Sequence, residues 1–498
     1  MSGQPISAEE LADARPAEYA DDALALKFTA HHKGNLRYTA ETGQWHVWDG
    51  STWRQDRMLA VFDLARKICR AESAKCGDKR LAIRVASAQT VTAVERMARA
   101  DPHHAAKVDQ WDSDPWCINT PGGIVDLRAG TLRPARREDY CTKLAAAAPG
   151  GHCPTWQAFL SRITGRDEEL QKFLQRMAGY ALTGMTSEHA MFFLYGQGAN
   201  GKSVFVNTIC GMLGDYGQTA PIESFIDSKS QSHPTSLAML RGARLVAASE
   251  TEDGRWWAEA KLKLLTGGDR ISARFMRQDF FEFTPAFKLL VAGNHKPRLR
   301  SVDEAMRRRF HLIPFTVTIP PAERDGALTE KLRSEWPGIL AWAIQGCLAW
   351  QREGLTPPAC VLSATGDYFE AEDALARWLE DRTEKKDGFW ESASELFNDW
   401  SEWAESNGEF AGSQKRFSEN LTARGYQQSR KRTGRGFEGI RLIEDRVTDG
   451  DGSTRYPRHA RARNGDNVAT RHNPSPRNEN EDEGISFNFG HNLEGRPQ

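Results

Sequence analysis

The clearest chemical pattern in this sequence lies at residues 196–203, which read Gly-Gln-Gly-Ala-Asn-Gly-Lys-Ser. Glycines in a short loop let backbone N–H groups turn inward around an anion, and phosphate oxygens are the anions that such loops bind. At this spacing Lys202 would reach the β- and γ-phosphates of a nucleotide, and the Ser203 hydroxyl would be a ligand of Mg²⁺. The alternative is a glycine turn that arose by chance.

The segments on either side of the loop must position it, and both have suitable patterns. Residues 191–195 are an apolar run long enough for one buried strand, and residues 204–213 have apolar side chains at helical spacing. Strand, glycine loop and helix N-terminus is the arrangement that a phosphate loop requires, which argues against a chance turn. The predicted nucleotide-binding residues are Gly196, Gln197, Gly198, Ala199, Asn200, Gly201, Lys202, Ser203 and Val204.

Two acidic residues follow the apolar strand predicted over 244–249. Glu250 and Glu252 are two apart, and residues at that separation on a strand share one face, so both carboxylates could point at the same phosphate. Hydrolysis needs acids near Mg²⁺ and near the attacking water, and these two carboxylates could supply them. Solvated acids at a strand end are the alternative, which the upstream loop disfavours.

An amide and a run of arginines come later. Asn294 ends an apolar strand at 287–293, where it could orient the lytic water or sense the γ-phosphate, although an asparagine after a strand is usually a turn residue. The run 307–309 is all arginine and precedes another apolar strand. These side chains could form a solvated face, or Arg308 or Arg309 could place a guanidinium at a neighbour's γ-phosphate.

Basic residues in two further places are candidates for contact with DNA. Residues 261–277 combine a glycine pair with Lys263, Arg274 and Arg277, which suits a hairpin on a phosphate backbone, although an ordinary surface hairpin has the same composition. Near the C-terminus, three predicted helices and a basic hairpin have the outline of a winged helix. The DNA-facing candidates there are Lys415, Arg416, Arg430, Arg432 and Arg435.

Bulk composition limits the class of protein. The chain has 498 residues and a net charge of −1, so contact with nucleic acid must come from local patches. Its eight cysteines show no metal-ligand spacing, which predicts free thiols in a reducing compartment. The first residues are acidic and polar, unlike a signal peptide, and no apolar run has transmembrane length. These features predict a soluble, cytoplasmic protein without a membrane partner.

Changes in pattern divide the chain into five parts. We predict a flexible leader at 1–34, a mainly helical domain at 35–184, an α/β nucleotide-binding domain at 185–355, a winged helix at 360–445 and a disordered tail at 446–498. Asp112 and Asp114 resemble a two-metal pair, but a turn before Pro115 accounts for them, since no further ligand follows at useful spacing.

Taken in order, these motifs resemble the phage/plasmid and poxvirus primase-helicase family, a branch of the superfamily 3 helicases. The resemblance rests on GQGANGKS, SETEDG, LTGGDRISAR, FKLLVAGNHKP and RRFHLIPF, and it extends over about residues 35–445. It implies an α/β fold with an AAA+-like P-loop core, an N-terminal mainly helical domain and a C-terminal winged helix. It also implies ATP and Mg²⁺ as cofactors, and a hexameric ring that translocates on single-stranded DNA.

The family's site residues transfer by motif. Lys202 and Ser203 become the phosphate and Mg²⁺ ligands, and Asn294 becomes the sensor. Glu250 becomes the second-motif acid at the Mg²⁺, and the family's second acid falls at or next to Glu252. Arg308 or Arg309 becomes the finger, and the basic residues of 261–277 become the DNA loop. Many relatives carry a polymerase-type primase domain before this region, whereas only about 35 residues precede it here, so primase activity is not expected.

The resulting expectation is an ATP-dependent replicative DNA helicase of a phage, plasmid or integrated element in a bacterial host cytoplasm. It would act on single-stranded and forked DNA, with a separate primase or polymerase as a further partner. The main alternative is an origin-binding NTPase initiator that separates no strands. A small-molecule kinase would leave the winged-helix outline and the basic hairpin without a role.

Overall fold

The structure is a computed structural model that describes residues 16–227, 235–249, 255–276, 279–299, 302–432 and 434–443, with backbone alone at 447–448 and 454–455. Three predicted site residues, Glu250, Glu252 and Arg277, lie outside the described residues. Within the described ranges, no helix combines the length and the apolar character needed to cross a membrane.

The first part of the chain, here called the N-terminal unit, packs four helices against a three-stranded antiparallel sheet. Its elements are α1 (Asp21–His32), β1 (Leu36–Thr39), β2 (Gln44–Trp48), β3 (Trp53–Gln55), α2 (Ala60–Ser73), α3 (Lys79–Val85) and α4 (Ala88–Ala98). Leu24 and Phe28 of α1 are fully buried in the shared core. The structure therefore differs from the predicted flexible leader over α1, because burial of these apolar side chains stabilises the docked helix.

A second antiparallel sheet and two helices lead to the centre of the chain. They are β4 (Cys117–Thr120), β5 (Gly123–Asp126), β6 (Thr131–Arg133), α5 (Pro154–Ile163) and α6 (Glu168–Leu182). The apolar pattern over 156–182 is typical of one continuous helix, but Gly165 and Arg166 take positive φ of 63° and 69° and end α5. Both helices pack into a core shared with the central sheet, although the predicted domain boundary placed them before it.

Five parallel strands form the central sheet, in the order β13–β7–β12–β9–β8. The strands of this region are β7 (Met191–Tyr195), β8 (Gly217–Thr219), β9 (Leu245–Ser249), the separate hairpin β10 (Ile271–Ala273) and β11 (Phe281–Phe283), β12 (Lys288–Gly293) and β13 (Phe310–Pro314). Alternate residues of β7, β9 and β12 belong to two different hydrophobic cores, as expected for strands buried on both faces. The predicted α/β class is confirmed, and the structure shows that the strands of the central sheet are parallel.

Helices cover both faces of this sheet. They are α7 (Lys202–Leu213), α8 (Thr235–Ala238), α9 (Glu259–Gly267), α10 (Glu304–Arg307), α11 (Leu328–Ser334), α12 (Trp336–Glu353) and α13 (Ala359–Ala371). Helices α6 and α12 approach closely because both carry glycine at the crossing. A Cβ at Gly179 would lie 2.0 Å from the Cys347 nitrogen, and one at Gly346 would lie 2.0 Å from the Gln175 carbonyl oxygen.

The C-terminal unit consists of α14 (Ala374–Arg382), β14 (Thr383–Ser392), α15 (Ala393–Ser406), α16 (Gln414–Ala423), β15 (Gln428–Lys431) and β16 (Gly434–Leu442). Its antiparallel sheet has the order β14–β16–β15, and its core contains Trp378, Trp400 and Phe417. The sequence predicted that this unit begins at 360. Helix α13 instead packs against the central sheet, since Tyr368 and Phe369 are buried in that sheet's core.

The predicted disordered tail at 446–498 contains one described feature. The backbone of β17 (Val447–Thr448) pairs antiparallel with that of β18 (Thr454–Arg455). The rest of that segment lies outside the described residues.

Candidate functional site

The glycine-rich loop connects β7 to α7 at the carboxyl edge of the central sheet. A Cβ at Gly196 would lie 2.1 Å from the Phe315 carbonyl oxygen. At Gly201, where φ is 84°, a Cβ would lie 2.5 Å from Cγ2 of Ile163. Neither position has room for a side chain, so the glycine spacing of the sequence is a steric requirement of this loop.

Asn200 is buried beneath the loop and holds its shape. Its side-chain amide donates hydrogen bonds to the carbonyl oxygens of Gln197 at 2.5 Å and Phe315 at 3.0 Å, and its Oδ1 accepts one from Lys202 at 3.1 Å. The loop is thereby attached to the end of the neighbouring strand β13. The sequence placed Asn200 only among the loop residues, since nothing in its position indicates which distant carbonyl it would bind.

Lys202 begins α7 and points its amine back under the loop. Its Nζ donates to the Gly196 carbonyl oxygen at 2.5 Å and to Oδ1 of Asn294 at 3.1 Å, besides Asn200. These acceptors are all neutral, and no carboxylate of the described residues pairs with the amine. Burial lowers the pKa of Lys202, which is the cost of holding a charge there without an anion. An entering phosphate would supply the missing negative charge.

The structure brings Lys202 and Asn294 together although 92 residues separate them. The cause is the strand order: β12 pairs directly with β7, and Gly293 lies opposite Tyr195 at the carboxyl ends of both strands. Parallel neighbours end at the same edge of a sheet, where ligands of open α/β sheets bind. Asn294 is exposed at this edge.

The remaining loop residues differ in exposure. Gln197, Gly198 and Ala199 are exposed, as is Ser203 in the first turn of α7, whereas Val204 is half-buried and packs against the core. The first N–H groups of a helix have no partner within the helix and carry its positive dipole end, so this end of α7 suits an anion.

The described part of β9 ends at Ser249, just before the two predicted acids. Ser249 lies opposite Ala292 of β12, and it is exposed at the carboxyl edge that the glycine loop shares. Glu250 and Glu252 follow Ser249 in the chain but lie outside the described residues, so their placement stays a prediction.

The three arginines lie at the other edge of the sheet. Phe310 pairs with Met191 at the amino ends of β13 and β7, and the backbone N–H of Met191 donates to the Arg309 carbonyl oxygen at 2.7 Å. The side chain of Arg309 donates to the Ala305 carbonyl oxygen at 2.7 Å, whereas Arg308 is exposed and no described residue binds its guanidinium. Neither arginine is near the glycine loop of its own chain.

The predicted DNA hairpin is smaller than the sequence suggested. Lys263 lies on helix α9, not on the hairpin, and its amine forms an ion pair with Asp303. Arg274 follows β10 and places its guanidinium 4.7 Å from the ring centre of Phe280. Three apolar side chains are exposed around the tip, namely Phe275 at 38%, Met276 at 70% and Phe280 at 59%. Arg277 lies outside the described residues.

The C-terminal candidates divide into two groups. Lys415 on α16 and Arg435 on β16 line one open groove of about 880 Å³, and Arg430 pairs across the sheet with Arg435, with Arg432 exposed at the turn. Arg416 is half-buried and lines a different cavity, of about 410 Å³, between the C-terminal unit and the α/β part of the chain. Adjacent residues on a helix face different directions, so the two cannot share one surface.

Sequence patterns gave no sign of two buried basic residues. Lys288 is 1% exposed, and its amine donates to the carbonyl oxygen of Thr183, while burial lowers its pKa well below the usual value. Arg244 donates to the carbonyl oxygens of Leu182 and Cys117, both at 2.6 Å. These bonds attach the starts of β12 and β9 to the end of α6 and to β4, which is a packing role.

Two family models match the chain. The one described as D5 N terminal like covers residues 25–165, and the one described as a family of unknown function, DUF5906, covers residues 194–309. "Putative helicase L207/L206" of Acanthamoeba polyphaga mimivirus is 26% identical over 334 residues, which is 62% of this chain and 34% of that protein. "Putative helicase 022R" of Frog virus 3 (isolate Goorha) is 25% identical over 266 residues, 48% of this chain and 27% of that protein.

The matched region thus spans about a third or less of the length of these relatives. Among solved structures, an apo structure of the NrS-1 C-terminal region aligns with 80% of this chain and 84% of its own, at 11% identity and a TM-score of 0.46. The two family models match successive parts of the chain, and the relatives are viral proteins. These matches support the resemblance of this chain to the phage and viral D5-type primase-helicase family.

Proposed function

We propose that this chain is an ATP-hydrolysing DNA helicase of a phage, plasmid or integrated element, active as a homo-oligomeric ring on single-stranded DNA. The observation that carries the proposal is the unneutralised amine of Lys202, held against Asn294 beneath a glycine loop at a helix N-terminus. The resemblance to this family and the helicase names of the relatives support the same function.

The residues at this edge fit the triphosphate of ATP with Mg²⁺. Among the described residues, Lys202 donates to neutral oxygens, so its positive charge is not neutralised. Ser203 is exposed and offers its hydroxyl, and the first N–H groups of α7 have no acceptor within the helix. Bound ATP and Mg²⁺ would supply the scissile γ-phosphate and the cation that offsets its charge. Asn294 would then orient the attacking water, and Glu250 and Glu252 would be the acids beside the metal.

The hairpin of β10 and β11 is the proposed contact with single-stranded DNA. Aromatic and basic side chains at one tip suit a nucleic-acid strand, because bases stack on rings and guanidinium groups bind phosphates. Phe275, Phe280 and Arg274 provide these groups, and Arg277 is a further candidate. Lys263 is withdrawn from this proposal, since its ion pair with Asp303 occupies the amine.

The C-terminal unit is proposed to be a winged helix that binds duplex DNA. Helix α16 exposes Lys415 beside the groove that Arg435 also lines, and the side chain of Lys415 is 87% exposed. Basic residues on a helix and on an adjacent hairpin match the footprint of a DNA backbone, so binding should weaken steeply with salt. Arg416 is excluded from this surface by its position in the other cavity.

The decisive experiment measures ATP hydrolysis with and without single-stranded DNA. Lys202→Ala should lower turnover at least about 10²-fold while the protein stays folded, since it removes the cation that faces the phosphates. Lys172→Ala, which removes an exposed lysine on α6 whose partner is Glu169, is the matched control and should keep full activity. Wild-type turnover in Lys202→Ala would refute the site.

The competing function is an origin-binding initiator without strand separation, which the exposed basic groove of the C-terminal unit also favours. A forked duplex with a labelled strand separates the two functions. Displacement that requires ATP and Lys202 indicates a helicase. ATP-dependent duplex binding without displacement indicates the initiator.

A further inference from the structure

The surface of the chain has a second basic cavity, which lies far from the glycine loop. It has a volume of about 630 Å³ and lies between the N-terminal unit and the start of the edge strand β8. This volume is in the range of small-molecule sites. Three basic side chains line it, Arg54, Arg57 and Lys143, together with one carboxylate, Asp215.

Among the described residues, carboxylates neutralise only one of these three cations. Arg54 faces Asp49 at 3.2 Å and Asp215 at 3.5 Å. Arg57 donates to a side-chain amide oxygen at 3.2 Å, and the amine of Lys143 donates to the backbone carbonyl oxygen of Asp215 at 3.2 Å. These two partners are neutral, so in the described part of the chain Arg57 and Lys143 keep their full charge at the cavity.

A buried imidazole also lines the cavity. His46 is 8% exposed, and its Nδ1 is buried without a hydrogen-bond partner among the described residues. The ring of Trp111 lies 4.4 Å away, centre to centre, and holds the imidazole in place. Because Nδ1 is closed to solvent, the imidazole forms part of the cavity wall and leaves the basic side chains as the groups that can reach a ligand.

We propose that this cavity is a second phosphate-binding site, in which Arg57 and Lys143 bind a phosphate group. Guanidinium and ammonium groups are the cations that proteins use on phosphate oxygens. The phosphate could belong to a nucleic-acid strand or to a free nucleotide, since both present the same group.

The test uses the full chain carrying Lys202→Ala, so that the glycine loop contributes no nucleotide binding. Lysines are acetylated briefly and quantified by mass spectrometry in the presence of a twenty-residue oligothymidylate, ADP or inorganic phosphate. Lys143 should be protected, and Lys79, which is exposed on α3, should not. Protection by the oligonucleotide alone assigns a strand, and protection by ADP or phosphate assigns a nucleotide. Acetylation of Lys143 that is the same with each probe as without any probe would overturn the proposal.

A pair of double variants then tests the residues with whichever probe protects. Arg57→Gln with Lys143→Gln should weaken binding by about tenfold or more, because two charge-assisted hydrogen bonds are lost. Lys79→Gln with Arg80→Gln removes the same charges from an exposed site on the same unit and should leave binding unchanged. Arg57→Lys with Lys143→Arg keeps the charges and should retain most of it. Equal losses in the two glutamine variants, or none in either, would overturn the proposal. Because hydrolysis is disabled throughout, the outcome is independent of the proposed ATPase.

Discussion

Arg308 should be required for ATP hydrolysis, and it should act on the glycine loop of a neighbouring subunit. The strands β13 and β7 pair from Phe310 and Met191 at one edge to Pro314 and Tyr195 at the other. At about 3.3 Å per residue the two edges are about 13 Å apart, farther than an arginine side chain reaches. An arginine that precedes β13 can therefore reach a γ-phosphate only in another copy of the chain.

The structure also distinguishes the three consecutive arginines. Arg307 lies over the ring of Phe369 at 5.2 Å, and Arg309 binds a backbone carbonyl oxygen, whereas Arg308 is exposed and unpaired among the described residues. Arg308→Ala should lower kcat by about 10³–10⁵, the range known for arginines supplied in trans. Arg307→Ala is the matched control, since it removes the same group one residue away, and it should keep hydrolysis near the wild-type rate.

A mixing assay tests whether the arginine acts across an interface. Lys202→Ala and Arg308→Ala proteins are each nearly inactive in uniform rings, but an equal mixture has both intact parts at about one quarter of its head-to-tail interfaces. ATPase should therefore recover to about that fraction of the wild-type rate at equal mixing. A flat mixing curve, with subunit exchange and assembly verified by native mass spectrometry, would refute the trans arrangement. Full activity of Arg308→Ala alone would refute any catalytic role.

Three further predictions concern stability. Asn200→Ala should lower the free energy of unfolding, measured in urea, by about 2–4 kcal/mol, because the buried Phe315 carbonyl oxygen loses its donor. A decrease below about 0.5 kcal/mol would contradict the role given to this amide. Burial lowers the pKa of His46 to about 4, against about 6.5 in the unfolded chain, so the unfolded state binds more protons between these values. Stability should fall by about 2 kcal/mol from pH 7 to pH 5 relative to His46→Phe, and parallel curves would contradict this. Glu409 accepts a hydrogen bond from Arg298 at 2.6 Å across the boundary of the C-terminal unit. A double-mutant cycle of Glu409→Gln and Arg298→Ala should give a coupling free energy of about 1–2 kcal/mol, a value already reduced for the partial exposure of the guanidinium. Zero coupling would show that this ion pair does not join the units.

The structural features that depend only on neighbouring residues were predicted well from the sequence. The strand at 191–195 and the helix after the glycine loop follow from apolar spacing and from a steric need for glycine, both of which act within a few residues. The α/β class was predicted from strand and helix patterns of the same kind, and the structure adds that the strands are parallel. The apolar pattern over 156–182 gives no sign of the break between α5 and α6, because Gly165 and Arg166 at positive φ outweigh it.

Long-range arrangement was decided only by tertiary structure. Lys202 donates a hydrogen bond to Asn294 because β12 pairs directly with β7. Strand order depends on contacts between distant segments, which local sequence patterns do not predict. The same order places Arg308 at the edge opposite its own loop, which turns a run of arginines into a candidate for contact between subunits. Lys263 does not belong to the proposed DNA surface, because it lies within helix α9, where its amine pairs with Asp303. Side-chain chemistry and loop geometry are local and can be read from the sequence, whereas which groups meet depends on how the strands and helices pack.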